Sequence, residues 1–129
     1  MKQKYLSTFF ICIITIATSF AQLSAGDIAF VAFNADGDDD FAIVALVDID
    51  ASTTIYFTDS NWDGVSAFAA SEGTIAWNSG LSTIKAGSII IFTDVDSDGN
   101  SNYGVSIGSI TTPDAGFNLS GGTGGDTLL

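Results

Sequence analysis

The chain has 129 residues, with 3 basic side chains, 15 acidic ones and no histidine, for a formal net charge of −12. Without arginine or a basic patch nothing can neutralise phosphates, which excludes nucleic acid as a partner. Without histidine the usual neutral-pH base and metal ligand is missing, which removes most Ser-His and His-metal chemistry.

Lys2 and Lys4 give a positive start, residues 6–17 form an apolar run, and Ser19-Phe20-Ala21 sets small residues at −3 and −1. Together these features predict a secretory signal peptide over residues 1–21, cut between Ala21 and Gln22. The apolar run is shorter than the roughly 20 residues that span a bilayer. No second apolar span follows. Residues 22–129 are therefore expected to form one secreted or cell-surface domain with no transmembrane span. Cys12, the only cysteine, leaves with the signal, so no disulfide or thiol site remains. One cation, Lys85, then faces all 15 carboxylates, a net charge of −14.

The mature chain is predicted to be strands and turns. Residues 28–33 and 41–47 are apolar on both alternating faces, as central strands of a sandwich are. Residues 53–58, 74–77, 88–93 and 103–107 are further β-branched or aromatic runs, with shorter candidates at 117–119 and 127–129. Stretches rich in Gly, Asp, Asn and Ser separate them, and only residues 65–71 have the makings of a helical turn. Such spacing predicts an all-β, antiparallel β-sandwich of about seven to eight strands, with a closed barrel as the alternative. Residues 49–59 also align with 84–94 at a constant offset of 35, each copy ending in Phe-Thr-Asp, and Asp63-Gly64 aligns with Asp98-Gly99. Duplication and convergence on one turn chemistry both explain this match.

Site chemistry is confined to the acidic loops. Asp94-Val95-Asp96-Ser97-Asp98-Gly99-Asn100-Ser101-Asn102 has the Asp-x-Asp-x-Asp-Gly spacing of a calcium loop. Alternate carboxylates of Asp94, Asp96 and Asp98 can converge on a hard cation, with Asn100 and Asn102 as further ligands. The twelfth position is Val105 rather than glutamate, so this is no EF-hand, and any affinity would be weak, about 10⁻⁴–10⁻³ M. A solvated hairpin loop is the competing explanation. A second, weaker candidate is Asn34-Ala35-Asp36-Gly37-Asp38-Asp39-Asp40, where Asp36, Asp38 and Asp40 alternate and a cation would relieve their repulsion. In the third loop, Asp59 to Gly64, Trp62 offers a stacking surface for sugar or peptide, against the commoner outcome of folding onto the core edge. Glu72, the sole glutamate, has Asp63 as its nearest acidic partner in sequence, too little for a glycosidase pair. No catalytic residue is expected.

Gly26-Asp27-Ile28-Ala29-Phe30-Val31-Ala32-Phe33-Asn34, followed by Asp39-Asp40-Phe41-Ala42-Ile43-Val44-Ala45-Leu46, resembles the opening of bacterial lamin-tail-like domains. Residues 84–92 are similar to that family's apolar-x-Ala/Pro-Gly strand start. Phe117-Asn118-Leu119-Ser120 and Gly125-Asp126-Thr127-Leu128-Leu129 resemble its late Leu-Ser and final strand. The resemblance implies an immunoglobulin-like sandwich serving as a non-catalytic module of secreted and surface proteins. Leu128-Leu129 stops within a strand-like run, which predicts the N-terminal piece of a longer protein. The function expected is therefore binding, adhesion or display toward an extracellular protein or glycan, with calcium as a candidate stabiliser. The alternative is an accessory domain of a larger secreted hydrolase such as a nuclease or phosphoesterase.

Overall fold

The structure, a computed structural model, describes residues 23–62, 64–68, 73–96, 102–111 and 116–119. The predicted signal peptide, Asp63, Glu72, Asp98, Asn100 and the candidate strand at 127–129 lie outside them. Among the described residues there are seven strands and no helix: β1 (Ile28–Asn34), β2 (Asp40–Ala45), β3 (Thr54–Thr58), β4 (Thr74–Asn78), β5 (Ile89–Thr93), β6 (Gly104–Val105) and β7 (Ser109–Ile110). They form two antiparallel sheets, ordered β1-β2-β5-β6 and β3-β4-β7. The fold is thus a β-sandwich and not a closed barrel.

Period-2 alternation explains the core. In β5, Ile90 and Phe92 are buried while Ile89, Ile91 and Thr93 are exposed; in β4, Ile75 and Trp77 are buried. The inward rings form one cluster. Phe41 stacks on Phe92 with centroids 4.4 Å apart and planes 13° apart, and Phe57 meets each of them edge-on at 5.1 and 5.2 Å. Such pairs add to the area they bury because ring edges carry positive charge toward ring faces. Trp77 is fully buried, and its indole N–H donates to the Ile107 carbonyl at 2.8 Å, so its one polar atom is satisfied.

The internal similarity marks positions that are equivalent in three dimensions. Ile49 and Ile84, 35 residues apart, pair with each other through two backbone hydrogen bonds of 2.8 and 2.9 Å. From that crossing one copy runs into β3 and the other into β5, in opposite sheets. Both copies make a turn whose third residue has positive φ, Ser52 at 62° and Gly87 at 87°. A negative φ followed by a positive one is the type II form, which suits glycine at that position and strains serine. Ser52→Gly is therefore expected to stabilise the fold by about 0.5–1 kcal/mol, after the extra entropy of glycine in the unfolded chain. A urea midpoint that falls instead of rising would contradict this.

Two elements differ from the sequence expectation. Among the described residues β1 is an edge strand, not a central one, and its outer apolar residues are exposed. The predicted strand at 103–107 is shorter, and a further strand follows it in the other sheet. Gly108 (φ 84°) makes that switch and lies against the Asn78 carbonyl and the Trp77 indole, where a Cβ would collide. Residues 64–66 form bends, not a helical turn, and Phe68 bridges back to Trp62.

Candidate functional site

The acidic loops meet at one end of the sandwich, where β2 begins and β3 and β5 end. Antiparallel pairing of Phe41 with Phe92 sets the start of β2 beside the end of β5. Asp39 and Asp59 are almost wholly buried there, at 3% and 2% exposure. Each buried carboxylate accepts backbone amides, the arrangement that makes such burial tolerable. Asp59 Oδ1 accepts the Gly73 N–H and its Oδ2 the Asn118 N–H, both at 2.9 Å. Asp39 Oδ2 accepts the Leu119 N–H at 2.6 Å. Consecutive amides of residues 118 and 119 are therefore held by carboxylates from opposite sheets, with Phe117 and Leu119 sunk into the core. Residues 117–119 are not a strand; they are an irregular segment fastened by these two aspartates. Gly73 completes the fastening, because a Cβ there would strike the Phe117 backbone.

The calcium candidates are distributed around this end. Asp94 is buried on left-handed backbone (φ 51°), and its amide donates to Asp40 Oδ1 at 3.0 Å. The next amide, Val95, donates to the Asp39 carbonyl. Asp96 is half-buried, and its Oδ1 is buried without a hydrogen-bond partner among the described residues. Asn102 is exposed, while Asp98 and Asn100 lie outside the described residues. In the first loop Asn34 governs the turn: its Oδ1 accepts the Asp36 N–H and its Nδ2 donates to the Asp38 carbonyl. The side chains of Asp36 and Asp38 are exposed, and Asp40 is committed to Asp94. Among the described residues no three carboxylates stand close enough together to share a metal ion.

A second feature lies on the outer face of the four-stranded sheet. Ala42 of β2 pairs with Ala32 of β1 and with Ile91 of β5, and Val44 pairs with Ile89. Small residues in the middle and larger ones on both sides leave a trench. Val31 stands on one side and Ile89 and Ile91 on the other, each of the three about half exposed, around a cavity of about 470 Å³. Four consecutive residues, Val31, Ala32, Phe33 and Asn34, line it. The bulge between Phe30 and Ala32 sets the extra residue Val31 beside Ala32, opposite Ala42. Asp40 lies at the acidic end of the trench. Soluble domains seldom leave apolar residues gathered in this way unless something binds there.

Trp62 is about half exposed and meets Phe68 edge-on at 5.0 Å, so it packs on its own loop and not on the core edge. Lys85, the only cation among the described residues, forms a 2.7 Å ion pair with Asp48 at the opposite end of the sheet from Asp40. Its hydrogen bond, with a second from the Ala86 amide, holds the Asp48 carboxyl below the ordinary aspartate range, and Asp48 in turn raises the Lys85 ammonium.

The buried role of Asp39 and Asp59 was readable only in part. Three consecutive aspartates at a strand start cannot all face water, since neighbours point to opposite sides, but alternation alone does not say which one turns inward. The trench was hidden because apolar residues on both faces of residues 28–33 are equally compatible with a central strand. Comparisons of the chain with family models, with curated proteins and with solved structures give no match. No helix among the described residues is long and apolar enough to cross a membrane.

Proposed function

We propose that the chain is an exported, non-catalytic β-sandwich module that binds a partner across the outer face of its four-stranded sheet. The observation that carries this reading is the apolar trench between β1 and β5. The chemistry of the chain supports it. Histidine and arginine are absent, the single cysteine lies at position 12, and two of the acidic residues, Asp39 and Asp59, are engaged with backbone amides. The likeness of residues 26–34 and 39–46 to lamin-tail-like domains agrees with an immunoglobulin-like accessory module for adhesion or display. Position-specific cross-linking tests the reading. In cells producing the chain, a photoreactive side chain at Ile91 is expected to give adducts with a second molecule, and one at exposed Tyr56 of the other sheet is not. Equal labelling at both positions, or none at Ile91, would overturn it.

We also propose that calcium stabilises the loop after β5. The Asp94, Asp96, Asp98 spacing and the buried Asp96 Oδ1 support this. With an affinity near 10⁻⁴ M, millimolar calcium is expected to add about 1.4 kcal/mol, or roughly 5–10 °C in melting temperature over chelator. Identical melting curves would remove calcium from the account.

A further inference from the structure

We propose that the trench seats a lysine or arginine side chain of a protein partner. The aliphatic stem lies over Ala42, between Val31 and Ile91, and the charge meets the Asp40 carboxylate. This inference rests on the reading of the outer face as the binding surface and names the side chain that anchors the partner there.

Shape, spacing and charge converge on it. Ala42 alternates with Phe41 and Ile43, which enter the core, so its methyl faces outward at the bottom of the trench. Ala32 pairs with it and adds a second small residue to the floor. Neighbouring strands lie about 4.8 Å apart, so β1 and β5, on either side of β2, are about 10 Å apart. With Val31 and Ile91 projecting from them, the space over β2 has the width of a single side chain. Asp40 is two residues along β2 from Ala42, about 7 Å away on the same face, and lines the same cavity. Lysine and arginine carry three- or four-carbon stems that bury against apolar surface while the charge reaches a polar site beyond, which is the spacing from Ala42 to Asp40. Asp40 Oδ1 accepts the Asp94 amide at 3.0 Å, which holds the carboxylate in place, and a carboxylate keeps further acceptor sites beside such a bond. A purely apolar side chain would cover Asp40 without satisfying it, which burial penalises.

Charge also decides between a second copy and a different protein. Residues 22–129 carry one cation, Lys85, which is held 2.7 Å from Asp48 at the opposite end of the sheet from Asp40. Two copies, each with 15 carboxylates, repel one another. A basic partner is attracted instead, and Asp36 and Asp38, exposed in the adjoining loop, add to that attraction. A basic side chain desolvated among apolar neighbours is a common anchor, arginine being enriched among the residues that dominate binding energy.

The test reads the yield of protein adducts from the photoreactive side chain at Ile91, in cells producing the chain at matched levels. Asp40→Asn is expected to lower the yield about fivefold. Asparagine still offers an acceptor to the Asp94 amide, so the fold is retained. Ala42→Leu is expected to lower it about as much, because it fills the trench floor and leaves the charge in place. Asp36→Asn together with Asp38→Asn is expected to change it less than about twofold, since neither residue lines the trench. On the purified chain the probe is n-hexylammonium, followed by nuclear magnetic resonance. Saturable shifts at Ala42 and Ile91 are expected, at least about threefold tighter than for n-hexanol, with the preference erased by Asp40→Asn. Equal affinity for hexanol would overturn the proposal, because the charge would then play no part. A loss from the 36 and 38 pair as large as that from 40 would overturn it too, since diffuse charge would then suffice. An adduct of twice the chain's mass would also overturn it, a second copy then occupying the face. If Ile91 labels a partner equally in the native chain, Asp40→Asn and Ala42→Leu, this inference fails and the outer-face reading stands. If Ile91 labels nothing, both are wrong.

Discussion

Asp59→Ala is expected to lower the melting temperature by roughly 12–20 °C, a loss of about 3 kcal/mol. The reason is specific to the fold. One carboxylate, 2% exposed, accepts the amides of both Gly73 and Asn118, and alanine removes both bonds at once, the one from Gly73 being buried. Asp59→Asn is expected to recover less than half of the loss, because its amide nitrogen must face one of those donors. Both variants are expected to lose the same amount in millimolar calcium as in chelator. A loss that appears only with calcium present would show that Asp59 acts as a metal ligand instead of a fastener. The same physics applies to Asp39, which holds the Leu119 amide from the opposite sheet.

Trp77→Ala is the second large effect, at about 4 kcal/mol. Trp77 is fully buried in β4, packs edge-on against Phe92 at 6.1 Å and donates to the Ile107 carbonyl. Alanine leaves a void between the sheets and strands that carbonyl, near the point where the chain turns at Gly108 from one sheet to the other. Small domains have only about 5–15 kcal/mol of stability, so partial unfolding at 37 °C is expected. Trp77→Phe keeps most of the volume and loses the hydrogen bond, so it should cost about half as much. The readout is chemical denaturation followed by circular dichroism; equal losses for the two variants would show that the hydrogen bond, not the packing, dominates.

The sequence made β2, β3, β4 and β5 legible, because alternation of branched and aromatic residues reports which face is buried. It also made legible the equivalence of residues 49–59 and 84–94, which the structure expresses as a crossing at Ile49 and Ile84, paired rings at Phe57 and Phe92, and turns at Ser52 and Gly87. Edge or centre was not legible for β1, since that depends on which strands lie beside it. The split of residues 103–110 between two sheets was hidden for a similar reason. Gly108 turns because the Trp77 indole and the Asn78 carbonyl leave no room for a side chain, a constraint set by residues 30 positions away. In the acidic loops, position was readable and burial was not. Asp38 is exposed and Asp39 buried, although the two are neighbours of identical chemistry.

These findings redirect attention within an acidic molecule. Its most buried carboxylates at the loop end fasten the fold, and its open surface is apolar, edged by Asp36, Asp38 and Asp40. Photocross-linking from Ile91 and from Tyr56, in cells producing the chain, tests that division most directly. Adducts from Ile91 and none from Tyr56 are the predicted result. Equal labelling at both positions, or none at Ile91, would contradict it.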